Sequence, residues 1–201
     1  LLFIADEVAT GFGRTGTMFA CEKESVRPDL LCLAKGLTGG YLPLAATLTT
    51  DEVFGGFLGR FDEFRTFFHG HTYTGNPVAC AVAIENIRLF SKDQTLKKLK
   101  GKIALLKDEL RRFSDLPHVG EVRQQGFMVG IELVKNTRTK KPYPPGEKIG
   151  QKVIWEARKR GAIIRPLGDV IVLMPPLAIS EKILRQLTDV VYSSIASATG
   201  I

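Results

Sequence analysis

The sequence predicts an α/β protein built in two parts. Three features carry this: short continuous apolar runs closed by charged residues, helical stripes alternating with those runs, and a shift of charge partway along the chain. In the first part, Leu1 to Ala5, Leu30 to Ala34 and Leu42 to Leu48 are the apolar runs. A run with no polar face suits a strand of a parallel sheet covered on both sides. The third run contains Pro43, which predicts an irregular start. Asn76-Pro77 reads as a helix start, with Asn as N-cap and Pro at the first helical position. Val78 to Ile84 is small and apolar nearly all round, which predicts a buried helix.

The second part has a different texture. Leu96, Leu99, Ile103, Leu106, Leu110 and Phe113 recur at alternating intervals of three and four. That is one helical stripe, with Lys97, Lys98, Lys100, Lys102 and Arg111 off it. Gly126 to Val134 reads as a strand, and Lys135 to Gly146 as a polar, proline-rich loop. Val153 to Arg160 reads as a helix capped by Gly161. Ala162 to Arg165 and Val170 to Met174 read as strands, with Pro175-Pro176 stopping the second. Glu181 to Ala198 closes the pattern as a helix.

Composition narrows the function classes. The chain has 201 residues, 44% of them apolar and 24% charged, an ordinary globular balance. Its three cysteines are too few for a disulfide scaffold. No window approaches the roughly 18 apolar residues of a membrane span, and no basic region precedes an apolar leader. The expected setting is a reducing cytoplasm. The net charge of +7 is unevenly spread. Residues 1–90 hold 7 Lys and Arg against 10 Asp and Glu, a balance of −3; residues 91–201 hold 21 against 11, a balance of +10. The basic residues lack the interleaved aromatics of a base-stacking platform, so no nucleic-acid partner and no membrane is expected. The chain opens on Leu1-Leu2-Phe3-Ile4-Ala5 with no Met, which predicts a piece of a longer protein.

Gly11-Phe12-Gly13-Arg14-Thr15-Gly16 matches the dinucleotide fingerprint G-x-G-x-x-G. That fingerprint works as a tight turn opening a helix. Here Asp6 to Thr10 separate the strand from the first glycine, and Arg27-Pro28 interrupts any following helix. The expected role is a glycine-rich surface loop rather than a nicotinamide site. Chemistry points instead to Asp6 and Lys35, each at the end of an apolar strand. Ligands of open α/β sheets bind outside the carboxyl ends of strands. A lysine amid Leu and Gly is expected to be partly desolvated, which lowers its pKa and frees the amine to attack a carbonyl. A carboxylate aimed at a pyridine nitrogen is its partner in pyridoxal phosphate chemistry.

Asp6-Glu7-Val8-Ala9-Thr10-Gly11-Phe12-Gly13-Arg14-Thr15-Gly16, then Pro28-Asp29 and Lys35-Gly36-Leu37, resembles the signature of the class III pyridoxal-phosphate aminotransferases. Leu44 to Thr50, His69 to Ala81, Ile164 to Gly168 and Leu173 to Pro176 are similar to the branch that transaminates a keto acid in biotin synthesis. The resemblance runs along essentially the whole chain. It implies a fold-type-I transferase, with residues 1–90 the C-terminal part of the large cofactor domain and 91–201 the small C-terminal domain. It implies pyridoxal 5′-phosphate as cofactor, a keto acid acceptor, S-adenosylmethionine as usual amino donor, a ping-pong route and a homodimer. Lys35 matches the lysine that holds the cofactor and meets the substrate. Asp6 matches the carboxylate that keeps the ring nitrogen protonated, and Val8 the apolar residue against the ring. His71 and Thr72 match the loop reaching the cofactor phosphate of the other subunit. Gly70 and Arg165 match substrate contacts, the arginine pairing a carboxylate. The chain departs from the branch pattern at His71, where proline often stands, and at Val172, where some members carry tyrosine. His69 and His71 have no third ligand near in sequence, so no metal is expected. Other class III ω-aminotransferases share Lys35 and Asp6, and an isolated non-catalytic fragment is the remaining alternative.

Overall fold

Two strands run parallel at the start of the chain. β1 (Ile4–Asp6) pairs with β2 (Leu30–Leu33) in the register Ile4 to Leu30 and Asp6 to Cys32. β3 (Ala46–Thr49) lies antiparallel on the other side of β2, so the sheet order is β1-β2-β3. The computed structural model describes residues 1–200. They divide into two units, Leu1–Leu96 and the residues from Lys97 onward. The compositional break after Phe90 falls inside a helix, and the division between units follows four residues after that helix ends.

The first unit adds α1 (Asp51–Gly55), whose N-cap Thr50 accepts a hydrogen bond from the Val53 amide, and α2 (Pro77–Lys92). The start of α2 is as the sequence predicts. The Asn76 side chain accepts from the Val78 and Ala79 amides at 3.0 Å each, and Pro77 takes the first helical position, where no N–H is needed. Phe12, Leu33, Leu37 and Ala83 form the core, with Met18, Phe19, Leu31, Leu44, Ala46 and Phe90 packed on it.

Two expectations about this unit are corrected. The strands are not covered on both faces: Ile4 is 59% exposed and Leu48 53%. Nor is α2 buried all round. Only Ala79 and Ala83 are buried, while Val78, Ile84 and Ile87 are exposed. The reason is geometric. One stripe of α2 (Ala79, Ala83, Asn86 and Phe90, at helical spacing) has neighbours in this chain, and a continuous apolar sequence does not say which face will find them.

The second unit is one antiparallel sheet with helices packed on it. β4 (Val119–Gln125), β5 (Met128–Leu133), β6 (Arg165–Leu167) and β7 (Val170–Leu173) stand in the order β4-β5-β7-β6. α3 (Thr95–Leu110), α4 (Ile149–Lys159) and α5 (Glu181–Thr199) supply the helical layer. The alternation of β5 sends Val129, Ile131 and Leu133 inward, where β7 adds Ile171 and Leu173. The predicted α3 stripe reaches the same core through Leu99, Leu106 and Leu110, followed by Phe113. α5 is capped by Ser180, which accepts from the Ile183 amide. Its buried face carries Leu184, Val191 and Ile195.

Here too the strands differ from expectation. β4 carries no apolar run; it exists because it pairs with β5 across the Gly126 turn, where φ is +60°. The Gly126 and Phe127 that read as strand make that turn. The strand expected over 162–165 lies instead at Arg165–Leu167, held to β7 by a hairpin through Gly168 and Asp169. Pro166 is tolerated because β6 is the sheet edge. Among the described residues no helix is long and apolar enough to cross a membrane.

Phe127 is fully buried beneath the β4–β5 turn. Replacing it with alanine is expected to cost about 3–5 kcal/mol through lost transfer energy and the cavity left behind. The check is the urea midpoint of the variant against the parent at unchanged m-value.

Candidate functional site

Parallel pairing puts the carboxyl ends of β1 and β2 at the same end of the sheet. β1 ends at Asp6, opposite Cys32, and β2 ends at Leu33, two residues before Lys35. Asp6 is exposed, and its Oδ1 accepts from the Val8 amide at 3.0 Å, a local turn that orients the carboxylate. Oδ2 accepts no hydrogen bond among the described residues. Val8 is half-buried.

Lys35 is exposed rather than partly desolvated, which corrects the sequence expectation. It opens a short 3-10 turn, Lys35–Thr38, with φ +44°, a left-handed value uncommon outside glycine. Such outliers persist only where surrounding structure over-determines them, and they concentrate at functional sites. Three contacts hold this turn. Gly36 lies under Phe12, so that a Cβ there would stand 2.7 Å from the Phe12 Cβ. Thr38 is buried and donates from Oγ1 to the Leu42 carbonyl at 2.6 Å. Asn86 of α2 donates from Nδ2 to the carbonyls of Gly36 at 2.8 Å and Leu37 at 3.0 Å.

The glycine motif is not a surface loop. Gly11, Phe12, Gly13 and Thr15 are all buried, and Phe12 is a core residue. Its glycines have structural reasons: Gly13 and Gly16 take φ +85° and +99°, and a Cβ on Gly11 would meet the Glu7 carbonyl oxygen at 2.8 Å. No helix opens on the motif, so the helix N-terminus that would hold a pyrophosphate is not built.

Glu7 organises that loop from within. It is 3% exposed; Thr10 donates to its Oε2, and the Cys21 amide donates to its Oε1 at 2.8 Å. Burial pushes the Glu7 carboxyl up, but the hydrogen bonds from Thr10 and from the Ala20 and Cys21 backbone together leave it below the ordinary carboxylate range. Burial, then the neighbouring Glu7, raises the Cys21 thiol, which keeps it protonated and poor as a nucleophile.

The remaining expected residues stand on other elements. Gly70, His71 and Thr72 lie exposed in the loop before α2. A turn there closes on itself: the His71 amide donates to Thr74 Oγ1, the Thr74 amide to the His71 carbonyl, and the Tyr73 amide to His71 Nδ1. Arg165 belongs to the second unit. It is exposed on β6 and lines an apolar groove of about 1040 Å³ with Ile163, Met174, Ile179, Ile183 and Leu187. Among the described residues no group of three or more His, Cys, Asp or Glu could hold a metal. Sequence reasoning passed over Asn86 and Glu7. The signal for Asn86 was available: a polar residue within an otherwise apolar helical stripe.

The model of the aminotransferase class-III family matches residues 1–195. The chain is 60% identical over 188 residues to a protein of Aquifex aeolicus named adenosylmethionine-8-amino-7-oxononanoate aminotransferase, covering 94% of this chain and 42% of that protein. The crystal structure of the Methanocaldococcus jannaschii protein of that name superposes with a TM-score of 0.95 at 52% identity, over 98% of this chain and 46% of the other. A thermostable omega transaminase mutant from Pseudomonas jessenii superposes at 0.93 with 34% identity, over 98% of this chain and 44% of the other. The chain thus spans less than half the length of the relatives it matches.

Two outcomes are expected. Gly36→Ala drives a methyl into Phe12 and should destabilise the protein by about 1–3 kcal/mol, measured by chemical denaturation. For Glu7 the folded pKa lies below the unfolded one, so its contribution is full above about pH 4.3, the ordinary glutamate value, and is lost as pH falls through the folded value. The stability gap between the parent and Glu7→Gln should therefore narrow as urea midpoints are followed from neutral into acid.

Proposed function

The chain belongs to the class III aminotransferase family, and on that premise we propose that it supplies the lysine and carboxylate of a pyridoxal 5′-phosphate transaminase acting on 8-amino-7-oxononanoate. The observation that carries the reading is the delivery of an amine and a carboxylate, Lys35 and Asp6, to one end of a parallel strand pair. The names of the relatives at 60% and 52% identity support the keto acid of biotin synthesis as acceptor and S-adenosylmethionine as donor.

The residues fit the cofactor by their chemistry. Bound pyridoxal phosphate supplies a carbonyl carbon for an amine and a protonated ring that withdraws electrons. The Asp6 carboxylate would accept from the ring nitrogen and its charge would keep that proton in place, while the Val8 amide holds Oδ1. Lys35 Nζ would hold the cofactor and, when free of it, would take a proton from the substrate carbon and return it, as general base and acid. Val8 would pack against the ring. His71 and Thr72 would bind the cofactor phosphate of a partner subunit, the Arg165 guanidinium would pair with the substrate carboxylate, and Gly70 would contact substrate.

A second copy of the protein is the proposed partner. The first unit exposes Phe54, Phe61, Phe64, Phe67 and Phe68 within one short stretch, more aromatic surface than a monomer ordinarily leaves in water. The free Cys21, Cys32 and Cys80 suit a reducing cytoplasm.

The test is spectroscopic. Pyridoxal phosphate added to the whole protein should give a borohydride-reducible chromophore that Lys35→Ala abolishes; a chromophore retained in the variant sinks the assignment. Arg165→Ala should raise KM for the keto acid on the order of tenfold or more, by loss of a charge-assisted pair, with a smaller effect on kcat. Product analysis with 8-amino-7-oxononanoate separates this substrate from those of other ω-aminotransferases.

A further inference from the structure

We infer that Asn86 is a positioning residue for Lys35, its side-chain amide clamping the turn from which the lysine extends. The inference rests on the reading of Lys35 as the cofactor-anchoring amine. The turn is poorly able to hold itself. Ala34 is extended at φ −161°, Lys35 switches to +44°, and Gly39 and Gly40 return at +62° and +86°. Its bonds to flanking residues are short-range: Leu37 N–H donates to the Ala34 carbonyl at 3.0 Å and Gly39 N–H to the Gly36 carbonyl at 3.2 Å. A 3-10 segment this short, opened by a non-glycine residue in the left-handed region, needs support from outside.

Asn86 supplies it from 50 residues away. Its Nδ2 meets two successive carbonyls, Gly36 at 2.8 Å and Leu37 at 3.0 Å. Both partners are acceptors, so only the NH2 half of the amide can face them, which settles the amide orientation chemically. The other half points at the far side of the turn, where a Cβ on Gly39 would stand 3.1 Å from Oδ1. The amide thus sits within the bend. The helix beneath it is itself fixed, by the Asn76 cap and by Ala79 and Ala83, small enough for close approach. Asparagine is a poor helix-interior residue. At a position whose neighbours on the stripe are Ala79, Ala83 and Phe90, its presence is explained by the two bonds it makes.

The consequence concerns a long side chain. Lys35 carries its amine at the end of a flexible stem, and that amine must serve two tasks from one backbone position: anchoring and proton transfer. Reproducible placement of Nζ requires that the Cα not wander. Asn86 fixes the two peptide carbonyls immediately after it, while Phe12 closes on Gly36 from the glycine loop.

The test uses the whole protein with Asn86→Leu, which keeps the number and branching of side-chain heavy atoms and the helix and removes both donors. Three readouts are compared with the parent: hydrogen exchange at the Leu37 and Gly39 amides without cofactor, the rate of borohydride-trappable capture of pyridoxal phosphate, and kcat against KM. Expected are faster exchange at those two amides, capture and kcat lowered on the order of tenfold to a hundredfold, and KM little changed, the pattern of a misplaced group. Asn86→Gln, retaining the donor, should recover part of the capture rate. Unchanged exchange, or capture within twofold of the parent, overturns the positioning role. Asn86→Asp, isosteric without the donor, repeats the comparison should the leucine variant melt early. Lys35→Ala is run beside them: capture surviving there defeats the cofactor reading, whereas exchange at Leu37 and Gly39 still reports the clamp.

Discussion

The first unit depends on the seat of the Phe12 ring over Gly36. A side chain on residue 36 is excluded by that contact, and the ring is held in turn by Phe19, edge-on at 5.6 Å, and by Phe90 at 6.4 Å. Three segments distant in sequence are thereby joined: the glycine loop, the lysine turn and α2. Loop-closure entropy is spent once for all three, and the bend that carries Lys35 inherits the rigidity of a small aromatic core. Glu7 belongs to the same arrangement. Its buried carboxylate ties the loop's beginning to Cys21, so the residue beside Asp6 is anchored while Asp6 itself stays exposed.

The two units solve the burial problem differently. The second closes a core around Phe113, Phe127, Ile131, Val153, Ile171 and Leu184, all essentially inaccessible, and surrounds it with charge. Arg185 of α5 reaches Glu109 of α3, and Arg112, in the 3-10 turn after α3, reaches Asp189 of α5 at 2.5 Å, pairs that contribute little to stability where exposed. The first unit has a far smaller core and a surface rich in exposed Phe, Leu and Ile.

Legibility in the sequence tracked the range of the forces involved. The Asn76-Pro77 cap and the Leu99 to Phe113 stripe were readable because capping and helical periodicity act within four residues. The β4 strand was not, since its order comes from a neighbour across a turn and its own residues alternate charge with little apolar signal. Burial of the glycine loop was missed for a related reason. A G-x-G-x-x-G string looks solvent-exposed by composition, and only Phe12 turning inward makes it core. The exposure of Lys35 likewise went against expectation: a strand end amid apolar residues says nothing of how far the following turn swings out.

What the sequence by itself determined is the chemistry on offer: a carboxylate and an amine, each closing an apolar run, inside an ordered motif specific enough to name a family. Residue types and short spacings are properties of the chain and survive without coordinates. Tertiary structure alone decided how the amine is held. The left-handed start at Lys35, the seat of Phe12 on Gly36 and the reach of Asn86 to two carbonyls join residues up to 50 positions apart. Such contacts have no period and leave no local pattern. They exist because close packing and satisfied hydrogen bonds select one bend from the many that the glycines of this segment permit.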